Sequence, residues 1–376
     1  MPVPEIVRLA LIGGGPGSFI GPVHRMAAEL DGRIKLVAGI FSRDADKSQL
    51  AGAQYGVDPA RVYPDMAALV RGEQTRADGV ELVAIATPNA SHFGLARDAL
   101  AAGLHVMCDK PATATLQEVQ ELAKLVAAAR THYGLTYTYT GYPMVREARE
   151  QVRAGALGEI RKIVVEYPQG WLSAPVEHDA NRQAAWRTDP AQAGLGGAIG
   201  DIGVHAFQLA EYVSDCRVTQ MLPDLGHVVP GRTLDDDCNV LLRFAGGARG
   251  VLHASQISTG ARNGLRLRIW GSLGGLDWSH ESPDRLTFDW ADRPTQIYHA
   301  GAPYLSAAAL HACRLPSGHP EGLIEAFANL YRDFAALIRG ETPLSPVPGI
   351  ADGLRGMTFV ARAAASPSGG AWINLD

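Results

Sequence analysis

"EIVRLALIGGGPGSFIGPVHRMAAEL", residues 5–30, passes from a short apolar run through a glycine-rich turn into a segment with Met26, Ala27 and Leu30 at helical spacing. The reading is strand, loop, helix. It repeats: "RIKLVAGIFS" (33–42) and "GVELVAIATPN" (79–89) read as apolar strands, and helices are predicted up to Tyr55 and from about Asp65 to Arg71. In "SHFGLARDALAAG" (91–103) Gly103 closes a helix ahead of the strand "LHVMCDKP" (104–111). Thr115, with Glu118 three residues on, opens a long helix with capping-box spacing. Strands that are apolar throughout and separated by helices predict a parallel sheet covered on both faces, a doubly wound domain over residues 1–134.

In such a sheet a ligand binds at the carboxyl ends of the strands. A glycine turn after the first strand lets backbone N–H groups approach a pyrophosphate at a helix N-terminus. Gly13, Gly15, Gly17, Ser18, Phe19 and Ile20 occupy that loop. After Gly13-x-Gly15 the third glycine is due at 18, where Ser18 stands, and Gly21 comes three residues later. The loop therefore reads as enlarged. At the end of the second strand, "FSRD" (41–44) offers Ser42 and Arg43 to a 2'-phosphate, while Asp44 and Asp46 suit a ribose diol. These residues leave NAD and NADP both open as the cofactor.

The chain has 376 residues, 47% of them hydrophobic and 19% charged, enough for two folded domains. A net charge of -5 gives no global attraction to nucleic acid or anionic lipid, so a small molecule is the expected partner. Cys108, Cys216, Cys238 and Cys313 show no CxxC spacing, and neither a metal site nor a disulfide framework is indicated. With no export signal and no membrane-length apolar run, a cytoplasmic protein is expected.

Beyond residue 134 the grammar changes. "LTYTYT" (135–140), "EIRKIVVEY" (159–167), "CNVLLRF" (238–244), "LRLRIWG" (265–271) and "GLDWS" (275–279) read as short strands, and "FAGGARG" (244–250) as a hairpin connection. The expectation for 135–376 is a mostly antiparallel sheet with one open face, which a second subunit can cover in a dimer or tetramer. Late helices, from Pro320 to Arg339 and from about Ile350 to Ala363, are expected to pack back on the domains.

"IGDIGVH" (199–205) sets Asp201 and His205 one helical turn apart among glycines that permit close approach. Asp201 can merely cap the helix and His205 can be a satisfied core histidine; the glycines favour a site. Lys110, held by Pro111 at a strand end, is the third candidate, with a solvated surface group as the plain alternative. "AAWRTDP" (184–190) adds Trp186 and Arg187, and "PQGWLS" (168–173) adds Trp171: apolar ring faces beside a multidentate donor suit a polyhydroxylated ring, although either tryptophan can equally be core. Tyr142 is counted with the substrate residues. So is His319 in "SGHPEG" (317–322), which can instead cap the helix after it.

With "IGPVH" (20–24), "IATPNASHFGLARDALAAGLHVMCDKP" (85–111), "GLGGAIGDIGVHAFQLAEY" (194–212), "GVLHASQ" (250–256) and "LRIWGSLGGLDW" (267–278), nearly the whole chain resembles the Gfo/Idh/MocA oxidoreductases. The resemblance implies an N-terminal Rossmann domain, a C-terminal α/β domain with a large open sheet, NAD or NADP, and sugar or polyol substrates. It puts the lysine of an E-K-P motif at Lys110, with Asp109 replacing the usual glutamate, and a D-x-x-x-H pair at Asp201 and His205. Thr87, Pro88, Asn89 and His92 fall on the cofactor-contacting loop. Ser42 where NAD users often have Asp, the enlarged glycine loop, and Thr140 where many members carry arginine depart from the pattern.

Hydride transfer from a secondary alcohol needs a base for the hydroxyl proton. A histidine, with an ordinary pKa near 6.5, suits that task at position 205, with Asp201 orienting it and cationic Lys110 stabilising developing alkoxide. Lys110 as base is the reverse assignment. The expected activity is an NAD-dependent dehydrogenase of a cyclic polyol or pyranose, such as an inositol, aldose or anhydrosugar. The alternatives are an NAD-dependent glycosidase of the same family or a non-catalytic nucleotide-sensing regulator.

Overall fold

The computed structural model describes residues 6–179, 181–366 and 370–375. In chain order the first elements are β1 (Val7–Gly13), α1 (Ile20–Glu29), β2 (Ile34–Ile40), α2 (Ala45–Tyr55), α3 (Met66–Gln74), β3 (Leu82–Ala86), α4 (His92–Ala101), β4 (His105–Cys108), α5 (Leu116–Ala128) and β5 (Tyr133–Leu135). Next come α6 (Pro143–Arg153), β6 (Ile160–Pro168), α7 (Arg182–Arg187), α8 (Pro190–Ala193), α9 (Val204–Ser214), β7 (Val218–Gly226), β8 (Asp237–Phe244) and β9 (Arg249–Ser255). The last are β10 (Arg266–Gly271), β11 (Gly274–Ser279), β12 (Arg285–Trp290), β13 (Gln296–His299), α10 (Ala307–Ala312), α11 (Leu323–Ile338), α12 (Ile350–Ala364) and β14 (Ile373–Asn374). Among the described residues no helix is long and apolar enough to cross a membrane.

The chain forms two compact units. The first takes the residues up to Gly141 together with Leu323–Leu354. Its five strands are all parallel, in the order β2-β1-β3-β4-β5. Because β2 and β3 lie on opposite sides of β1, the connections diverge at the end of β1, where a doubly wound sheet opens its ligand crevice. Local signals hold where side chains close helix ends. Thr115 and Glu118 make the reciprocal capping box of α5, Asp65 accepts the Ala68 N–H at 2.8 Å to open α3, and Gly103 turns left-handed after α4.

In α1 Met26 is exposed, as is Leu30 just past its end, and Val23, His24, Ala27 and Ala28 are buried. The reason is packing through the small face: α1 joins a core with Phe327, Tyr331 and Phe334 of α11. "LTYTYT" is no strand of the second sheet, because Leu135 ends β5 of the first and residues Thr138–Gly141 form a buried 3-10 turn. That turn lies against α11, where the Asn329 side-chain amide donates to the Gly141 carbonyl at 2.8 Å. The boundary at 134 thus moves to Gly141, and the first unit gains a returning segment.

The second unit, Tyr142–Gly322 with the residues from Arg355 on, carries a nine-stranded sheet in the order β13-β12-β11-β10-β6-β9-β8-β7-β14. Every pairing in it is antiparallel except β6 with β9. Alternation sorts its faces: Cys238, Val240 and Leu242 of β8 are buried and Asn239 and Leu241 exposed. α9 lies on the buried side and is buried nearly all round, its polar residues His205, Gln208 and Tyr212 included.

Candidate active site

Gly13 ends β1 with φ of +98°, and a Cβ there would lie 2.3 Å from the Ala86 carbonyl oxygen of the neighbouring strand end. A Cβ on Gly15 would stand 2.6 Å from the Phe41 carbonyl oxygen. The backbone is therefore laid bare where β1, β2 and β3 end, the cradle a pyrophosphate requires. Gly17 and Ser18 turn the loop: the Ser18 N–H donates to Gly15 at 3.0 Å and its hydroxyl accepts the Gly21 N–H at 3.2 Å. Phe19 is exposed, and Ile20, half-buried, opens α1. The missing third glycine is found here, since a Cβ on Gly21 would come 2.2 Å from the Gly14 Cα. The three-residue insertion moves that contact along the chain without abolishing it. A Gly21→Ala variant is expected to push α1 off the loop and raise the NADH dissociation constant about tenfold, as read by fluorescence titration.

At the end of β2, the Ser42 hydroxyl accepts the Asp44 N–H at 3.1 Å and Arg43 is exposed. Asp44 caps α2 by accepting the Lys47 N–H at 3.1 Å, and this bond holds its carboxyl below the usual range. The Asp44 carboxylate and the Ser42 hydroxyl are thus both engaged locally. After β3, Thr87 accepts the Ser91 hydroxyl at 2.7 Å, and Asn89 lies buried in the turn that follows Pro88. After β4, Asp109 donates its N–H to Ile85 at 2.9 Å and accepts the Thr136 hydroxyl at 2.5 Å. Lys110, half-buried, follows directly. Asp109 is thus a brace for the strand end. His92 is wholly buried, with both ring nitrogens on backbone carbonyls, so the contact expected between it and a cofactor gives way to a structural one.

In the second unit, the segment opening α9 is a π-turn, Ile199–Gly203, that inserts a residue and displaces the simple helical stripe through Asp201 and His205. Asp201 Oδ2 accepts from Arg187 Nε at 3.2 Å and from Gln256 Nε2 at 2.9 Å. The Arg187 guanidinium lies 4.2 Å from the Trp186 ring centroid and 5.6 Å from that of Trp171, and its Nη1 donates to the Gln183 side-chain oxygen at 2.7 Å. Carboxylate, guanidinium, amide and two indole faces are gathered at one spot. His205 is 8% exposed on the first turn of α9.

Two expected substrate residues lie elsewhere. Tyr142 is 1% exposed, its hydroxyl 3.0 Å from His280 Nε2 and its ring against Trp278, because it begins α6 inside the core of this unit. His319 is exposed in a turn, its Nδ1 3.1 Å from the Pro316 carbonyl oxygen; α11 begins later than expected, at Leu323.

Two residues of this region escaped the sequence. Gln256 stands just past the end of β9, and nothing but that position marks it. Asp235 sits in "LDDDC" (234–238), which reads as a solvated acidic run, yet it is 5% exposed. Its carboxylate accepts the Gly197 and Ile199 N–H groups at 2.7 Å each, while its own carbonyl accepts from Ala198 at 2.8 Å. A Cβ on Gly197 would stand 2.0 Å from that carbonyl oxygen, so only glycine fits. Asp235 therefore fixes the start of the segment bearing Asp201 and His205.

Residues 7–137 match the profile of the oxidoreductase family with an NAD-binding Rossmann fold, and residues 145–277 match that of the GFO/IDH/MocA C-terminal domain. The chain belongs to the Gfo/Idh/MocA oxidoreductases. An uncharacterised oxidoreductase of Bacillus subtilis, YfiI, is 33% identical over 98% of this chain and 97% of its own. An inositol dehydrogenase homologue from Azotobacter vinelandii, solved with NAD+, superposes with a TM-score of 0.95 at 38% identity, covering 99% of this chain and 98% of that one. The same homologue has been solved with NADH and myo-inositol, with a TM-score of 0.92 at 37% identity over 98% of each chain. The levoglucosan dehydrogenase of Pseudarthrobacter phenanthrenivorans is 29% identical over 57% of this chain and 60% of its own. As a Gfo/Idh/MocA oxidoreductase the chain has a Rossmann domain whose glycine loop, bare at Gly13 and Gly15, fits a dinucleotide.

Proposed function

We propose that this protein is an NAD-dependent dehydrogenase that oxidises a secondary hydroxyl of a cyclic polyol or pyranose: an inositol, an aldose or an anhydrosugar. The observation that carries the substrate class is the cluster on Asp201, where Arg187 and Gln256 share one carboxylate oxygen beside the indole faces of Trp171 and Trp186. Fixed donors and acceptors next to flat apolar walls match a ring with hydroxyls at its edge and C–H bonds on its face. The likeness to an inositol dehydrogenase homologue over the whole chain supports the same reading.

NAD, when bound, supplies the hydride acceptor. The N–H groups of the Gly13–Ile20 loop would hold its pyrophosphate, and Ser42 and Arg43 would meet the adenosine ribose. Lys110 donates a hydrogen bond to the reacting oxygen and stabilises negative charge there. His205 takes the hydroxyl proton onto its ring as the carbinol C–H leaves with its electron pair, so a C–O single bond becomes a carbonyl and the imidazole becomes imidazolium. Asp201, anchored by Arg187 and Gln256, keeps the polar wall fixed beside that histidine's turn. The lysine ahead of a proline and the D-x-x-x-H pair, both family features, support these roles.

The reading extends to a dimer or tetramer formed through the open sheet face, where Leu241, Trp270 and Ile297 are exposed. Light scattering on the purified protein checks this.

The deciding experiment mixes the protein with NAD or NADP and a panel of inositols, aldoses and anhydrosugars while absorbance of the reduced cofactor is followed. Stoichiometric NADH from at least one cyclic polyol or sugar is the expected result. Release of an aglycone without net NADH would show a glycosidase, and binding of nucleotide without turnover of any panel member would show a regulator.

A further inference from the structure

His92 opens α4 and is 0% exposed. Its Nδ1 lies 2.8 Å from the Pro111 carbonyl oxygen and its Nε2 lies 2.8 Å from the Thr87 carbonyl oxygen. A carbonyl oxygen can only accept, and a neutral imidazole has one N–H and one lone pair. In either neutral tautomer, therefore, a ring lone pair would face a carbonyl lone pair at hydrogen-bond distance, buried away from water, an arrangement that is expensive to maintain. Only the doubly protonated ring satisfies both contacts.

We propose that His92 is a buried imidazolium and the positioning residue that fixes Lys110, joining the loop after β3 to the loop after β4 by one hydrogen bond to each. The role rests on the reading of Lys110 as catalytic; the charge state does not. Lys110 is held from both sides. The residue before it, Asp109, is tied to β3 through Ile85 and to Thr136 beyond β5, and the residue after it, Pro111, is tied to His92.

The surroundings bear on the charge from several elements. Burial lowers the pKa of the ring, and the N-terminus of α4 also disfavours a cation. The Cys108 sulfur on β4 and the carbonyls of Pro111 and Thr87 act the other way and outweigh burial, holding the pKa up at about 9. Burial, with the nearby Cys108 sulfur, pushes the hydroxyl of Tyr133 on β5 well up, so it stays neutral. His24 of α1 is itself pushed down, by burial above all and by the charge on His92, although Asp109 4.0 Å away opposes this. His24 is the neutral histidine of the pair, with Nδ1 2.6 Å from the Tyr331 hydroxyl, and His92 is the charged one.

Long-range proton–nitrogen spectra of the full-length protein labelled with nitrogen-15 in histidine test the charge directly, with His92 assigned through its own backbone. Both of its ring nitrogens are expected to carry slowly exchanging protons at pH 7, and to change only as pH rises through about 9. One unprotonated ring nitrogen at pH 7 would overturn the inference and leave the dehydrogenase reading intact. The second arm is kinetic. His92→Gln, which can donate to one carbonyl but not span both, is expected to lower kcat about ten- to hundredfold with little change in the KM for NAD. An unchanged kcat, or a loss confined to KM, would remove the positioning role. If Lys110→Met also turned over normally, it would be the reading of Lys110 that had failed.

Discussion

His205→Ala is expected to lower kcat for alcohol oxidation about 10²–10⁴-fold, leaving the affinity for NADH within about threefold of wild type. The loss corresponds to about 3–5 kcal/mol of activation free energy, the usual contribution of one well-placed proton acceptor. The pair of constants discriminates because His205 lies in the second unit and the glycine loop in the first, so removing the imidazole leaves Gly13 and Gly15 untouched. Lys110→Met, which keeps the length of the side chain and removes its donor, is expected to cost about 10²–10³-fold through the unsupported alkoxide. Stopped-flow measurement of NADH formation on both variants separates the roles. Turnover within tenfold of wild type for His205→Ala, together with an inactive Lys110→Met, would reverse the assignment and make the lysine the base.

Asp235 provides the second large effect, and its sign is specific. The carboxyl is almost wholly buried, and burial, working against the two N–H bonds from Ile199 and Gly197, lifts its pKa from 3.8 to about 6. A carboxyl that holds its proton more tightly folded than unfolded stabilises the fold fully below pH 3.8, and that stabilisation is lost as pH rises through about 6. At about 1.4 kcal/mol per pKa unit, the loss is about 3 kcal/mol. Asp235→Asn cannot ionise. It gives up one N–H bond at every pH, so the difference in unfolding free energy between variant and wild type is expected to shift by about 2.4 kcal/mol in the variant's favour between pH 4 and pH 8. Urea titrations at the two pH values measure this, and other titrating groups cancel in the difference. A difference independent of pH would mean that Asp235 ionises in the fold as it does in water. Because its partners are the N–H groups just ahead of Asp201, Asp235→Ala is also expected to lower kcat.

Much of the first unit was legible because it is written in local rules. Apolar strands between helices predicted the parallel sheet, and side chains that close their own helix ends, Thr115 with Glu118 and Asp65, fall where the spacing put them. Gly21 was noticed but not understood: that it presses on Gly14 depends on the path of an enlarged loop. Which face of α1 is buried was not legible for a similar reason: α11, three hundred residues on in the chain, meets its smaller side chains. In the second unit, Trp186, Arg187 and Asp201 were named from short local stretches and do converge, whereas Tyr142 and His319 were named with them and do not. Aromatic and imidazole side chains serve cores and turns as readily as ligands, and periodicity carries no information about which.

The amino-acid sequence by itself determined the alternating strands and helices, the glycine loop at the end of β1 and the family, and it named Lys110, Asp201 and His205 as candidates, because each is encoded within a few consecutive residues. Only the tertiary structure decided that Asp235 caps the segment bearing that pair, that Gln256 and Arg187 share one carboxylate oxygen, and that His92 faces two carbonyls instead of a ligand. Most of these contacts join residues far apart in the chain, and even the short-range one, from His92 to Thr87, takes its meaning from Pro111 in the loop after the next strand. Hydrogen bonds of this kind are set by where strands end and helices begin in space, which no local pattern records.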